Sequence, residues 1–242
     1  MTDGQQRPAQ RILVVAAHPD DVDFGSAGTI ATWTKAGIEV SYCIVTDGGA
    51  GGVDPEVPRS AMAGIRQDEQ RKAAAVLGVS EVEFLGYPDG RLVVSMELRR
   101  DITRVIRRVR PDRVVTQFPQ RNLRNVYISH PDHQAAGEAA LCAVYPDARN
   151  PFAHPELLAE EGLPAHTVPE VWLMSSVDGA DHYVDITDTF DRKIAALRAH
   201  TSQTAHMTNL EERIREWGQR QARAAGLAEG RLAEGFLVLD TR

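Results

Sequence analysis

A chain of 242 residues, 43% hydrophobic and 25% charged, has the make-up of an ordinary globular protein and suits one α/β domain, or one with a modest appendage. Its net charge of −7 excludes the positive footprint that non-specific nucleic-acid binding needs. No apolar stretch approaches the roughly 20 residues required to span a bilayer.

The opening MTDGQQRPAQ lacks the apolar centre of a signal peptide, and residues 1–10 read as a flexible lead-in to one domain covering 1–242. RILVVAA is the first strand, and SAGTIATWTKAG a helix stopped by Gly37. EVSYCIVT is the second strand. DGGAGGVDPEVPRS, residues 47–60, is a mobile loop at its carboxyl end, because glycine and proline dominate it. AGIRQDEQRKAAAVLGV forms a helix, EVEFL a short strand, and MELRRDITRVIRRVR a helix halted by Pro111. DRVVTQ is a fourth strand, and a helix opens near Asp132 with Pro131 in its first turn. The proline-rich residues 146–169 read as a surface excursion. EVWLMSS and HYVDIT return to strand, DTFDRKIAALRAH and LEERIREWGQRQARAAG are helices, and EGFLVL closes the chain as a strand. Strands alternating with amphipathic helices predict an α/β, Rossmann-like fold, a mainly parallel sheet with helices on both faces. The arginines of the helix from Met96 interleave with Leu98, Ile102, Val105, Ile106 and Val109, so they read as a solvated face. Cys43 and Cys142 form no Cys-x-x-C pair and read as free thiols in a reducing compartment, the cytoplasm.

Two clusters carry the chemistry. HPDD, residues 18–21, follows the first strand, and HPDH, residues 130–133, stands past the fourth strand at a helix start. In open α/β sheets the loops at the carboxyl ends of strands line the ligand crevice, so His18 and Asp21 can meet His130 and His133 there. Two histidines with one carboxylate make a common catalytic zinc shell with a position left open. Ferrous iron accepts the same donors, whereas magnesium and calcium prefer all-oxygen shells. The rival reading for Asp20, Asp21 or Asp132 is a helix N-cap. His154, His166, His182, His200 and His206 read as surface or loop histidines, and Asp23 as a supporting carboxylate. Arg66 divides between a substrate contact and a helix ion pair with Asp68 or Glu69.

AAHPDDVDFGSAGTI, RQDEQRKAAAVLGV, FLGYPDGRL, HPDHQAAGEAAL and VDITDTFDRKIAALRAHTSQ, in this order from Arg11 to Gln203, together resemble the LmbE-like (PIG-L) family of zinc-dependent N-acetylglucosaminyl deacetylases. The resemblance implies a Rossmann-like fold and hydrolysis of an N-acetyl or related acyl group on an amino-sugar-containing small molecule. It implies His18, Asp21 and His133 as zinc ligands and Asp20 as general base. His130 becomes the second catalytic group, Asp132 the carboxylate orienting it, and Arg66 and Asp89 contacts to sugar hydroxyls. Zinc can lower the pKa of its water to about 7 and polarise the acyl carbonyl. Asp20 in reach of that water could take its proton, and a protonated His130, favoured by Asp132, could stabilise the oxyanion. Two positions depart from many relatives: Val22 stands where they carry glutamate, and Ile128, beside Tyr127, where some carry tyrosine. The partner implied is a small glycoconjugate, with neither nucleic acid nor membrane, and a homo-oligomer is compatible with the chain. An amidase of a larger thiol- or antibiotic-linked amide is the alternative enzyme. A non-catalytic sugar- or nucleotide-binding protein is the alternative of another class, and the lack of G-x-G-x-x-G after the first strand counts against it.

Overall fold

The computed structural model describes residues 9–52, 54, 56–123, 126, 129–174 and 179–242. Most of the lead-in, the end of EVWLMSS, Tyr127 and Ile128 lie outside these residues. Seven strands form one sheet: β1 (Arg11–Ala16), β2 (Glu39–Thr46), β3 (Glu81–Tyr87), β4 (Arg113–Gln117), β5 (Glu170–Met174), β6 (His182–Asp185) and β7 (Ala233–Asp240). Their order is β3-β2-β1-β4-β5-β7-β6. The first five run parallel, and β7 lies antiparallel to β5 and β6.

The central strand must be apolar throughout because helices cover both of its faces. Ile12, Val14 and Ala16 point to one side, where they pack with α1 (Asp21–Lys35), α2 (Arg59–Leu77) and Ala196 of α6 (Phe190–Ala199). Leu13, Val15 and Ala17 point to the other side, against α3 (Met96–Val109) and α4 (Pro131–Cys142). The expected α/β architecture, mainly parallel and covered on both faces, is the one observed. A third cluster joins α6 to α7 (Leu210–Ala224) through Phe190, Ile194, Leu197, Leu210 and Ile214.

Three local expectations need correction. Helix α1 begins at Asp21, five residues before the expected Ser26, because Asp21 and Asp23 sit in its first turn, where carboxylates complement the helix dipole. The arginines of α3 are not a uniformly solvated face. Arg107 is 1% exposed and donates to the carbonyls of Asp147, Ala148, Asn150 and Ala153, while Arg99 pairs with Asp147 at 2.7 Å. The proline-rich stretch is therefore pinned to α3 rather than lying loosely on the surface. It continues from an irregular helical segment, Ala143–Ala148, contains the short α5 (Glu156–Ala159), and buries Ala148, Leu157 and Val168.

Helix α4 seats unusually close to β4. A methyl group on Gly137 would stand 2.3 Å from the carbonyl oxygen of Gln117, which a backbone cannot yield cheaply. Gly137→Ala is expected to cost about 1–3 kcal/mol, the usual range for overpacking, read as a lowered urea midpoint at unchanged slope. An unchanged midpoint would refute this seating of α4.

Candidate active site

Strand β1 is flanked by β2 and β4, and the chain reverses its direction across the sheet at this point, the place where open α/β sheets bind ligands. The ladder between β1 and β4 is extended by a side chain: Ala17 N–H donates to Gln117 Oε1 at 2.8 Å. Beyond it the two cluster-bearing segments face each other.

Asp20 occupies the N-cap position of α1 with φ +89°, and its side chain makes no capping hydrogen bond. A non-glycine residue seldom rests at positive φ, and such strain costs on the order of 1–3 kcal/mol. The chain is held there by α2. Arg66 donates from Nη2 to Pro19 O at 2.7 Å and from Nη1 to Gly48 O at 2.9 Å, and Gln70 Oε1 accepts the N–H of Asp20 at 2.8 Å. The carboxylate of Asp20 lies 3.4 Å from Arg66 Nη2, so the capping alternative does not describe it.

Asp21 stands between two imidazoles. One oxygen accepts the backbone N–H of His18 at 2.7 Å and lies 3.2 Å from His18 Nδ1, and the other lies 2.9 Å from His133 Nε2. The opposite nitrogen of His18, Nε2, faces Asp89 and Asp132, each at 3.2 Å. The rings of His18, His130 and His133 form a triangle with centroid separations of 4.8, 5.2 and 5.2 Å. The folded chain thus brings together all eight residues singled out in the sequence.

Several sit differently from expectation. The carboxylate of Asp132 does not turn to the ring of His130. It accepts Gly90 N–H at 2.7 Å and Leu92 N–H at 3.2 Å and faces His18, so His18 is the imidazole it orients. Nδ1 of His130 accepts the N–H of Asp132 at 3.2 Å, which assigns the proton of the neutral ring to Nε2. Burial and the neighbouring His18 and His133 lower the His130 pKa, against a weaker opposite pull from Asp132, so an imidazolium is not favoured there. Arg66 is 4% exposed and Asp89 5%. Neither projects as an open hydroxyl contact: they pair at 3.4 Å, and Asp89 also accepts Ala50 N–H at 3.0 Å. The alternative ion pair of Arg66 with Asp68 or Glu69 is not formed either, since Asp68 pairs with Arg71 and Glu69 with Ser202.

The site concentrates negative charge around its imidazoles. Asp20, Asp21, Asp89 and Asp132 converge with Arg66 as the guanidinium among them. Burial would lower the His18 pKa, but Asp21, Asp132 and Asp89 outweigh it and push it up to about 12. Burial likewise opposes ionisation of Asp21, yet His133 and His18 hold its carboxyl well below the usual range. Asp20 is raised to about 6 by burial, with Arg66 pulling it down and Asp21 pushing it up. Two overlapping sets, His18–His130–His133 and His18–Asp89–Asp132, each bring ligand atoms within 4.8 Å of one another, and neither includes Asp21, the carboxylate expected beside His18 and His133. Imidazole nitrogen with carboxylate oxygen is a donor set that suits zinc, so the residues fit a divalent metal. In such sites the distal N–H of a ligating histidine is usually held by a carboxylate, the position Asp132 takes on His18.

The family model for PIG-L, GlcNAc-PI de-N-acetylase, matches residues 13–144, which include both clusters. The chain belongs to the PIG-L family. A diacetylchitobiose deacetylase of Thermococcus kodakarensis is 34% identical over 194 residues, spanning 80% of this chain and 70% of the relative. A probable N-acetyl-α-D-glucosaminyl L-malate deacetylase of Bacillus anthracis is 31% identical over 219 residues, 86% of this chain and 87% of the relative. Among solved structures, the N,N′-diacetylchitobiose deacetylase of Pyrococcus horikoshii with its inhibitor MPG superposes at a TM-score of 0.88 and 31% identity, covering 97% of this chain and 85% of that one.

Sequence reasoning overlooks part of this PIG-L site. His200, which reads as a surface or loop histidine, is fully buried, and its Nε2 lies 2.8 Å from Asp23. Gln70 and Glu69 are buried on α2 as well. A signal for them exists: Arg66, Glu69 and Gln70 share the helical face of Ala73, Ala74 and Leu77, and polar residues on a core stripe need partners. Among the described residues no helix is long and apolar enough to cross a membrane.

Proposed function

We propose that this chain removes an N-acetyl or closely related acyl group from an amino sugar in a small glycoconjugate, by metal-dependent amide hydrolysis in the cytoplasm. The observation that carries the reading is the meeting of His18, Asp21, His130 and His133, with Asp20 alongside, at the carboxyl ends of adjacent parallel strands. Deacetylation of amino sugars is also what the named relatives have in common.

His18, Asp21 and His133 would hold zinc, and ferrous iron would suit the same donors. The metal, when bound, supplies Lewis acidity for the acyl carbonyl and acidifies water. The chain's own groups do the rest. Asp20 takes the proton of the attacking water on its carboxylate, a contribution of about 10²- to 10⁴-fold where such a base is well placed, and a proton from Asp20 or His130 passes to the sugar nitrogen as the acyl C–N bond breaks and the amine leaves. Nε2–H of His130 donates to the oxygen that gains charge, and one such donor is worth about 3–4 kcal/mol. Arg66 and Asp89 hold the turn that presents Asp20, and Asp132 fixes the ring of His18.

The test is a panel assay on protein of measured metal content: N-acetylglucosamine, N,N′-diacetylchitobiose, N-acetylglucosaminyl malate and inositol, and S-conjugated amides without a sugar. Release of acetate with a free amine from the sugars, abolished by chelation and restored by zinc, is the expected result. A fully metallated protein that cleaves none of the acetamido sugars would overturn the reading.

A further inference from the structure

The turn HTSQ, residues 200–203, takes no part in the chemistry above, yet it touches the site in three places. Ser202 donates through its N–H at 2.7 Å and its Oγ at 2.6 Å to the two oxygens of Glu69 on α2. Gln203 Nε2 donates to Gly51 O at 2.8 Å in the loop after β2. His200 Nε2 lies 2.8 Å from Asp23 Oδ2, with both side chains enclosed.

The last contact continues inward. Asp23 Oδ2 also accepts Gln70 Nε2 at 2.8 Å, and Gln70 Oε1 accepts the backbone N–H of Asp20 at 2.8 Å. The orientation of the Gln70 amide is fixed by its two neighbours. A flipped amide would set its oxygen against a carboxylate and its NH₂ against an N–H, losing both bonds. His200, Asp23 and Gln70 thus form an unbroken hydrogen-bonded chain, buried along its length, that ends on the peptide preceding the strained Cα of Asp20. Arg66 restrains the other side of that peptide through Pro19 O. Without the bond from Gln70, that peptide keeps only Arg66 at Pro19 O, while the Asp20 carbonyl stays bonded to the N–H groups of Asp23 and Phe24, so the strained positive φ loses one of its restraints and can relax to negative values. The carboxylate would then swing off its bearing.

We propose that Gln70, Asp23 and His200 are positioning residues that hold Asp20 in its positive-φ conformation and so aim its carboxylate. The proposal rests on the reading of Asp20 as the base. The side chains of Asp23 and His200 reach the Asp20 N–H through Gln70.

The experiment uses the zinc-loaded full chain and the N-acetylglucosaminide of the panel with the highest kcat/KM. It compares wild type, Gln70→Met, His200→Phe, the double variant, His200→Gln and Asp20→Asn, with zinc stoichiometry measured for each. Gln70→Met is expected to lower kcat about 10- to 100-fold, the usual penalty for losing a group that orients a functional side chain, with KM within twofold and zinc retained. The double variant should fall no further than the worse single, because both break one chain. His200→Gln, which keeps a donor for Asp23, should recover most of the loss. A crystal structure of metal-free Gln70→Met should show Asp20 at negative φ. If Asp20→Asn is inactive while Gln70→Met keeps wild-type kcat, or if the two single losses multiply, the proposal fails. If Asp20→Asn stays active, the base assignment fails instead, and the crystal structure decides: φ still positive in Gln70→Met overturns the proposal, and a negative φ upholds it. Should His200→Phe not fold, the kcat and crystal structure of Gln70→Met decide by themselves.

Discussion

Asp20→Asn is expected to lower kcat by about 10²- to 10⁴-fold while the protein keeps its zinc, its fold and a KM close to wild type. The magnitude is that of a well-placed general base, and at 1.36 kcal/mol per tenfold it corresponds to about 3–5 kcal/mol of barrier. Asparagine preserves the shape of the side chain and removes its capacity to take a proton. The histidines should be little disturbed, because the Asp20 carboxylate is paired with Arg66 at 3.4 Å, whereas Asp21 is the group in contact with His18 and His133. The rival assignment makes a different forecast. A helix cap lost at Asp20 would cost about 0.5–2 kcal/mol of stability and leave turnover alone. Steady-state kinetics with metal analysis and a urea melt separate the two, and a kcat within threefold of wild type in the zinc-loaded variant would remove Asp20 from the chemistry.

The largest effect on stability is expected away from the site, at Lys193. Its Nζ donates to Glu234 at 2.6 Å and to Phe24 O at 2.6 Å, and both charged side chains are nearly inaccessible. Glu234 in turn accepts Gly28 N–H at 3.0 Å and Thr29 N–H at 2.7 Å. The pair is inserted into the backbone of α1, taking hydrogen bonds from that helix. Lys193→Met would leave Glu234 buried without a counter-charge, which typically costs about 3–5 kcal/mol. That is a large part of the roughly 5–15 kcal/mol by which most domains are stable. Adding Glu234→Gln to the first change removes the stranded charge while keeping an acceptor, so the double variant should be more stable than Lys193→Met alone. Equilibrium unfolding in urea measures both. A loss below about 1 kcal/mol in Lys193→Met would show the pair to be incidental.

How much of this is readable from the chain alone follows the range of the signals. Both clusters are legible because each is local: histidines and carboxylates packed into four residues, one cluster at the mouth of an apolar strand and the other at a helix start. The strands are legible for the same reason, as short apolar runs between turn residues. The start of α1 is not, because it depends on Asp20 tolerating positive φ, which α2 enforces from about fifty residues away. The orientation of Asp132 escapes because its neighbour in the chain, His130, meets its backbone N–H and not its carboxylate. Loop 88–95 supplies the N–H groups of Gly90 and Leu92 that turn the carboxylate to His18. Arg107 looks like one more surface arginine. Its burial depends on the carbonyls of a segment some forty residues further on. His200 belongs to a stretch that contributes to the family resemblance, but no periodicity marks a lone histidine after a helix as interior.

The bridge from Ala17 to Gln117 has an evolutionary consequence. Because β1 and β4 are parallel neighbours bridged past their paired residues by Ala17 and Gln117, the arm that begins at His18 starts one interstrand spacing, about 4.8 Å, from the strand that leads by residues 118–129 to the other. The loops beside those arms bear on the machinery as well. Residues 47–60 and 88–95, which leave β2 and β3, carry Gly48, Asp89, Gly90 and Leu92, the partners that hold Arg66 and Asp132, so a chimaera with foreign segments there would keep its cutting apparatus only if those four positions were preserved.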